Sequence, residues 1–548
     1  MKGLLVAQNA SYVHTNLAVR LLREQLHKDI SILEMTVNED LHRRIEKILL
    51  AAPDYILYSA YIWNWTDIQR IGEYIRKADP HIAQYVGGPE VSYDVEERLR
   101  NEDWIDGILR GEGENIIGAL VECIEGRRGR SEVAGLAYRE GEEVRVNPLP
   151  AYASDLNALI PASYTESMKN RILYYESMRG CPYHCSYCLS SEGGRIRYRD
   201  VKKIKEDMRE IFATGTKLIK FVDRSFHIDP ARSVEIIDFF SEESPADTGI
   251  HFEMNLEHLD REVAKHINAA PAGKFQIEAG IQSVNPVVNA AIHRKTDIDA
   301  VGRALQMLDT EKTHIHLDLI VGLPHEDLES FLAGFDRVAK LGAQKIQIGF
   351  LKLLRGTELR RRAEEFGIVY ESTPPYEVIA TADFSAREVI LLRNFATAVE
   401  NYFDEARFRE VYHAVQKKGT PPSQFYLGIA QKLQDDAHRR LFRGRDGKYR
   451  FLHRHLNEKY GRDAPLYDAL KKDFYRNEDR YIGHVLGIED PELSKNEVIE
   501  FLKRNPEFAS DRNPHKAAKR VRGVRLANTK RYYLYTDGKY IRHFDERR

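Results

Sequence analysis

The chain has 548 residues, long enough for about three or four domains with buried cores, so a peptide or a single small module is excluded. Hydrophobic residues make up 43% and charged residues 30%, the composition of a globular protein and not of a disordered or collagenous one. The 82 basic and 84 acidic residues leave a formal net charge of -2, so any attraction to nucleic acid or to an anionic membrane must be local.

No stretch of about 18 uncharged apolar residues occurs, and the run from Met1 to Asn9 is short and has no small-residue cleavage site; the expectation is a cytoplasmic protein with no membrane partner. Over residues 1–140, short apolar runs alternate with amphipathic segments: Gly3 to Ala7, the helical Leu17 to His27, Tyr55 to Ser59, the helical Thr66 to Ala78, Gln84 to Gly88, and Gly107 to Gly111. Strands alternating with helices of this length predict a parallel, doubly wound sheet, with ligands at the carboxyl ends of the strands. The loops there are residues 7–16, 59–65, 87–90 and 111–114. They offer glycines for close backbone approach and side-chain donors such as Asn9, Ser11, His14, Thr15 and Ser59. Ordinary turn chemistry explains such residues equally well.

The Pro-rich stretch over 141–170 reads as a linker. From 171 to 360 the alternation resumes. Strands are predicted at Ile172, Lys217, Ile250, Lys274, Ile315 and Lys345, separated by helices such as Val201 to Thr214, Val234 to Ser241 and Ala300 to Leu308. Six such units suit a partial barrel, open along one side. Over 361–548 the pattern becomes helical, with segments at Ala386 to Phe403, Pro422 to Gln434, Ala464 to Phe474 and Lys495 to Lys503. The last 38 residues carry twelve Lys/Arg against four Asp/Glu and include a hairpin turning at Asp537-Gly538. A basic, Tyr-rich tail can hold RNA by charge and stacking, or pack against its own domain.

Three of the four cysteines, Cys181, Cys185 and Cys188, follow C-x3-C-x2-C in one loop after the first barrel strand. Thiolates suit zinc or an iron-sulfur cluster, and both usually want four protein ligands. Cys123, in a predicted helix, reads as a structural hydrophobe. Zinc would need His184 or a distant residue, whereas a [4Fe-4S] cluster on three thiolates keeps one iron open; the spacing favours the cluster.

With Tyr187 before the last cysteine, this trio resembles the signature of radical S-adenosylmethionine (SAM) enzymes. Phe221 to Phe226, with Asp223 and Ser225, resembles the second-strand end near the SAM methionyl group. Ile277 to Ser283, with Glu278, Gln282 and Ser283, resembles the motif near the ribose, and Asp318 to Pro324, with Val321, the motif near the adenine. The N-terminal loops resemble those of the family's cobalamin-binding subgroup. They are Asn9, Ser11, Tyr12, His14, Thr15 and Asn16; Ser59, Tyr61 and Trp63; Gly87, Gly88, Pro89 and Glu90; and Gly111 and Glu112.

The resemblance covers about residues 1–360 and implies an α/β fold: a Rossmann-like cobalamin-binding domain, a partial (β/α)6 TIM-type barrel and a mostly helical C-terminal extension. There is no Asp-x-His-x-x-Gly, so it implies cobalamin bound without a protein histidine, its lower face near Ser59 to Trp63. At the sixth strand, Leu353-Leu-Arg-Gly-Thr357 replaces the Pro-Gly-Thr frequent in relatives, which bears on the substrate class.

The implied chemistry is reductive cleavage of SAM at a [4Fe-4S] cluster to a 5′-deoxyadenosyl radical, with methyl transfer from cobalamin to an unactivated carbon. The electron would come from a flavodoxin- or ferredoxin-type donor, and no side chain need be a nucleophile. Two other readings stand beside it: the same cofactors used for rearrangement, cyclisation or oxidation, and a zinc- and RNA-binding non-enzyme. The substrate class implied is open among a tRNA base, a peptide and a small metabolite.

Overall fold

The computed structural model describes residues 1–26, 30–152, 155–190, 195–404, 407–490, 492–509 and 513–547. The predicted helix end at His27, residues 153–154 of the linker, and 511–512 and 548 of the basic tail lie outside the described residues. The chain forms two compact units, residues 1–327 with 350–385, and 328–349 with 386–548.

In the first unit the N-terminal strands are β1 (Gly3–Asn9), β2 (Ser31–Thr36), β3 (Tyr55–Ser59), β4 (Ala83–Gly87), β5 (Gly107–Leu109), β6 (Leu136–Glu140) and β7 (Glu143–Val146). They form one sheet in the order β2-β1-β3-β4-β5-β6-β7, parallel through β5 and antiparallel at the last two. Its two-residue period sorts the buried side chains onto two faces. Leu4, Val6, Ile56 and Tyr58 join one core, and Leu5, Ala7, Tyr55 and Leu57 join the other. Helices such as Leu17–Glu24 and Trp65–Ala78 cover these faces, so the sheet is buried on both sides. The hairpin β6–β7 runs past residue 140, through chain read from sequence as the start of a linker, because β6 must cap the exposed edge of β5.

The barrel strands of this unit are β8 (Ile172–Tyr175), β11 (Leu218–Phe221), β12 (Gly249–Glu253), β13 (Phe275–Gln282) and β14 (His314–Val321). They are parallel in the order β14-β13-β12-β11-β8. A two-residue ladder of β9 (Met178–Arg179) and β10 (Arg197–Tyr198) brackets the cysteine loop. On β13, Phe275, Ile277, Ala279 and Ile281 are buried on one face, while Gln276, Glu278, Gly280 and Gln282 occupy the other. Residues after 350 return to this unit, where Leu351, Leu353, Leu359 and Tyr376 pack with Val288, Ile292 and Leu323.

The second unit takes the helix Leu328–Ala339, the sixth predicted strand (Lys345–Phe350) through Gly349, and everything from Ala386. Its helices include Ala386–Val399, Pro422–Lys432, Ala464–Asn477 and Lys495–Arg504. The tail is a three-stranded antiparallel sheet of Val521–Arg525, Thr529–Thr536 and Lys539–Arg547, one strand more than the predicted hairpin. Asp537 and Gly538 both have positive φ (50° and 74°), as a type I′ turn requires.

The tail is not an open stacking platform. Tyr532, Tyr533 and Tyr535 are at most 2% exposed, and Tyr532 stacks on Phe501 with ring centroids 3.6 Å apart. Arg531 pairs with Asp545, Arg525 and Lys530 with Glu497, and Arg522 with Asp479. These four positive charges are matched within the unit, and the tyrosines beside them are core, so this part of the tail serves the fold and not a stacking surface.

Candidate active site

The carboxyl ends of β8 and β11 to β14 surround a cavity of about 550 Å³. Cys181, Cys185 and Cys188 lie on its wall, with Cys185 buried and the others partly so. The loop is shaped by its flanks: Gly180 has φ of 100°, and a Cβ there would come within 3.2 Å of the Arg195 carbonyl. The Cys188 amide donates to the Cys185 carbonyl at 3.0 Å, and Ser190 contacts the Cys188 Sγ through its amide at 3.4 Å and its hydroxyl at 3.3 Å. The Arg294 guanidinium lies 3.9 Å from the Cys185 Sγ and donates to the Gly280 carbonyl. Arg224, also on the wall, pairs with Glu253 at 3.1 Å. Soft sulfur donors faced by two guanidinium groups suit an anionic iron-sulfur cluster.

Beside them, Gly280 leaves space that a Cβ would fill by meeting the Gln282 side chain. Gln282 sits at a bulge between β13 and β14 with φ of 67°, and its buried Oε1 has no hydrogen-bond partner. An acceptor held in a strained backbone on a cavity wall fits a nucleoside hydroxyl. Ser225 and Tyr187 share that wall, and burial pushes the Tyr187 phenol up. Ser283 adjoins it, donating to Glu326.

Two residues of these motifs serve the fold beneath. Asp223 is fully buried and accepts from the Ser177 amide at 2.8 Å, the Met178 amide at 3.1 Å and the Ser177 hydroxyl, which anchors the start of the cysteine loop. Burial pushes its pKa up to about 7 against these donors. Val321 is fully buried, and its carbonyl accepts from the Leu351 amide.

A second cavity, of about 200 Å³, opens at the carboxyl edge of the N-terminal sheet between Leu5, Val19, Leu57, Leu109 and Leu120. Ser59, Gly87, Gly88, Gly111 and Glu112 line it. A Cβ on Gly88 would meet the Ala60 carbonyl at 2.4 Å, and one on Gly113 would meet Leu22 at 2.8 Å. An apolar slot floored by obligatory glycines fits a flat ring such as the nucleotide tail of cobalamin. Tyr61, Trp63, Pro89 and Glu90 belong to the larger cavity. Tyr61 and Trp63 stack at 4.3 Å, and Trp63 is half exposed. Glu90, almost fully buried, accepts from Arg98 at 2.6 Å and Tyr376 at 2.5 Å.

The 9–16 loop lies outside both cavities. The Thr15 amide and hydroxyl donate to the Ile172 carbonyl, His14 Nδ1 lies 2.7 Å from the Tyr174 hydroxyl, and Asn9 donates to the His14 carbonyl. Asn16 caps the helix Leu17–Glu24, while Ser11 accepts from the His14 amide through its carbonyl and Tyr12 is exposed. This loop docks β8 onto the sheet domain.

Sequence reading missed the ion pairs that join the domains of the first unit. Arg197 pairs with Glu112 at 2.6 Å, and Arg179 with Glu114 at 2.7 Å and Glu176 at 2.6 Å. Both arginines flank the cysteines, so the 111–114 loop clamps the cysteine loop; partners 65 to 85 residues apart leave no local signal. Also missed were Arg294, His251 and His316. His251 donates to Glu278 at 3.1 Å, and this bond holds the Glu278 carboxyl down to about 2.

Residues 3–121 match the B12 binding domain family, 175–338 the Radical SAM superfamily, and 364–524 a family described as a protein of unknown function (DUF4080). An uncharacterized methyltransferase of Pyrococcus horikoshii is 24% identical over 60% of this chain and 74% of its own length. The cobalamin-dependent radical SAM methyltransferase TokK of Streptomyces tokunonensis is 23% identical over 58% of this chain, which spans half of that relative. The structure of the cobalamin-dependent SAM radical enzyme OxsB with aqua-cobalamin bound superposes with a TM-score of 0.61 at 15% identity, covering 95% of this chain and 83% of that one.

Proposed function

Because the chain belongs to the radical SAM superfamily and carries a B12 binding domain, we propose that it is a cobalamin-dependent radical SAM enzyme that methylates an unactivated carbon. The observation that carries the reading is the shared cavity: three thiols, the orphaned Gln282 acceptor and the Tyr61–Trp63 pair line one space, next to a glycine-floored apolar slot. Methyltransferases among its relatives support methyl transfer, and a magnesium-protoporphyrin IX monomethyl ester cyclase of Rubrivivax gelatinosus, 26% identical over 52% of this chain, keeps cyclisation as the second reading.

In this reading Cys181, Cys185 and Cys188 hold the cluster, Gln282 bonds a nucleoside hydroxyl of SAM, with Ser283 bracing the turn behind it through Glu326 and the Asn285 amide, and the slot lined by Ser59, Gly87, Gly88 and Gly111 takes the cobalamin tail. When bound, these groups supply the electron path, the radical and the methyl group. The protein orients and encloses. Arg294 and Arg224 offset negative charge near the sulfurs, and Asp223 fixes the strand-to-loop turn that aims them. The Arg179 and Arg197 clamps keep the two cofactor regions in register, and preorganisation of this kind lowers the entropy cost of bringing reactants together. Tyr61 and Trp63 offer a flat apolar surface that would pack against a bound corrin.

The enzyme class requires a reductive electron donor and a substrate; we assign the donor to the cytoplasmic flavodoxin or ferredoxin type. The substrate is a tRNA base, a peptide or a small metabolite. The test is product mass: extracts of cells with and without the gene should differ by a species heavier by about 14 Da, one CH2 unit. A product of unchanged carbon count, formed with SAM turnover, would replace methylation by a rearrangement or oxidation.

A further inference from the structure

The inward faces of β12, β13 and β14 carry a cluster built on Glu278 and Asp318, two residues of the strand motifs described above, together with two histidines that those motifs do not include. In the strand register Glu278 lies beside His316, and Gly280 beside Asp318, so three side chains from two neighbouring strands point at one spot. Donor atoms of Glu278, His316 and Asp318 all lie within 4.8 Å of one another.

His316 Nε2 and Asp318 Oδ1 are 3.1 Å apart, yet each is buried without a hydrogen-bond partner. At this distance the two atoms form an ion pair when His316 is protonated, and when it is neutral a cation between them satisfies both. His316 Nδ1 lies 3.8 Å from Glu278 Oε2. Behind Glu278, His251 places Nε2 3.1 Å from the same oxygen, and its side chain is only 7% exposed. A buried imidazole orienting a carboxylate that itself faces the cluster is the outer shell of a metal site. Glu278 and Asp318 also line the 550 Å³ cavity, so a cation held here would keep coordination positions open toward it.

We propose that Glu278, His316 and Asp318 bind a first-row divalent cation, with His251 as the positioning residue, and that the open positions take an oxygen of an anionic substrate group. One imidazole and two carboxylates suit manganese, iron(II) or zinc and, having no thiolate, are chemically distinct from the cysteine site. The site rests on barrel geometry; only its substrate class rests on the function proposed above.

The test uses full-length, cluster-loaded protein titrated with Mn2+, free ion being read from its electron paramagnetic resonance signal. One Mn2+ per chain is expected to bind. His316→Gln and Asp318→Asn should each weaken binding at least tenfold with iron content unchanged, and His251→Gln by about tenfold, as loss of an outer-shell partner does. If His316→Gln fails to load iron, the isosteric Asp318→Asn carries the test. Equal affinity in wild type and variants, or no bound Mn2+, overturns the site. SAM cleavage is read on the same samples without manganese, and a variant that keeps its iron and cleaves SAM but no longer binds Mn2+ separates the cation site from the function proposed above.

Discussion

The barrel cavity and the C-terminal sheet are both furnished with tyrosines and arginines, and they use them in opposite ways. In the sheet, Tyr532, Tyr533 and Tyr535 are core, and Arg531, Arg525 and Arg522 end on carboxylates. In the cavity, Gln282 Oε1 and Asp318 Oδ1 are buried without hydrogen bonds, and a half-exposed Trp63 covers a stacked Tyr61. Composition does not separate a site from a scaffold, and neither does a single unmatched group, since Tyr533 Oη in the sheet is also buried without a partner; what marks the site is the convergence of polar side chains on one cavity.

If the cavity serves chemistry and the sheet serves stability, variants should divide accordingly. The largest effect is expected for Cys185→Ala: loss of the broad iron-sulfur absorption near about 400 nm and of all SAM cleavage, with the chain still folded. Iron retained at wild-type level in that variant would break the division at its strongest point. Tyr533→Ala should do the reverse, lowering stability by about 3–5 kcal/mol in denaturant melts, as loss of a buried aromatic side chain does, with iron loading of the folded chain unchanged. Gly88→Ala should combine the two. The strain of a side chain at φ of 118° costs about 1–3 kcal/mol, and the displaced loop should abolish the thermal shift given by saturating hydroxocobalamin.

The last effect shows only in the pH dependence and concerns Asp223, whose folded pKa of about 7 lies above the ordinary carboxylate value. The folded chain then binds a proton that the unfolded chain has released. This contribution is fully present below pH ~4 and is lost as pH rises through about 7. Asp223→Asn should flatten that fall by up to about 4 kcal/mol, at about 1.36 kcal/mol per pKa unit, measured as the difference between the two stability-against-pH curves; parallel curves would show that Asp223 stays ionised in the fold.

Much of this division was legible in the chain. Short apolar runs at Gly3, Tyr55 and Gln84, alternating with helices, marked the strands of a doubly wound sheet, and C-x3-C-x2-C after Ile172 marked the cysteine loop. The Asp537-Gly538 pair foretold its turn. By contrast, the 9–16 loop looked like a ligand loop because Asn, Ser, His and Thr serve equally well for docking another strand, and here they hold Ile172 and Tyr174. The tail's cations looked free because their partners, Glu497 and Asp479, lie in other segments.

The sequence by itself determined the local periodicities, the turn chemistry and the cysteine spacing, since each depends on residues within a few positions of one another. Only the tertiary structure decided which charges cancel and which donors converge. Arg197 finds Glu112 across 85 residues, and His251 finds Glu278 across 27. Such meetings depend on strand order and register, and these are fixed by burial of the whole sheet and not by any one segment.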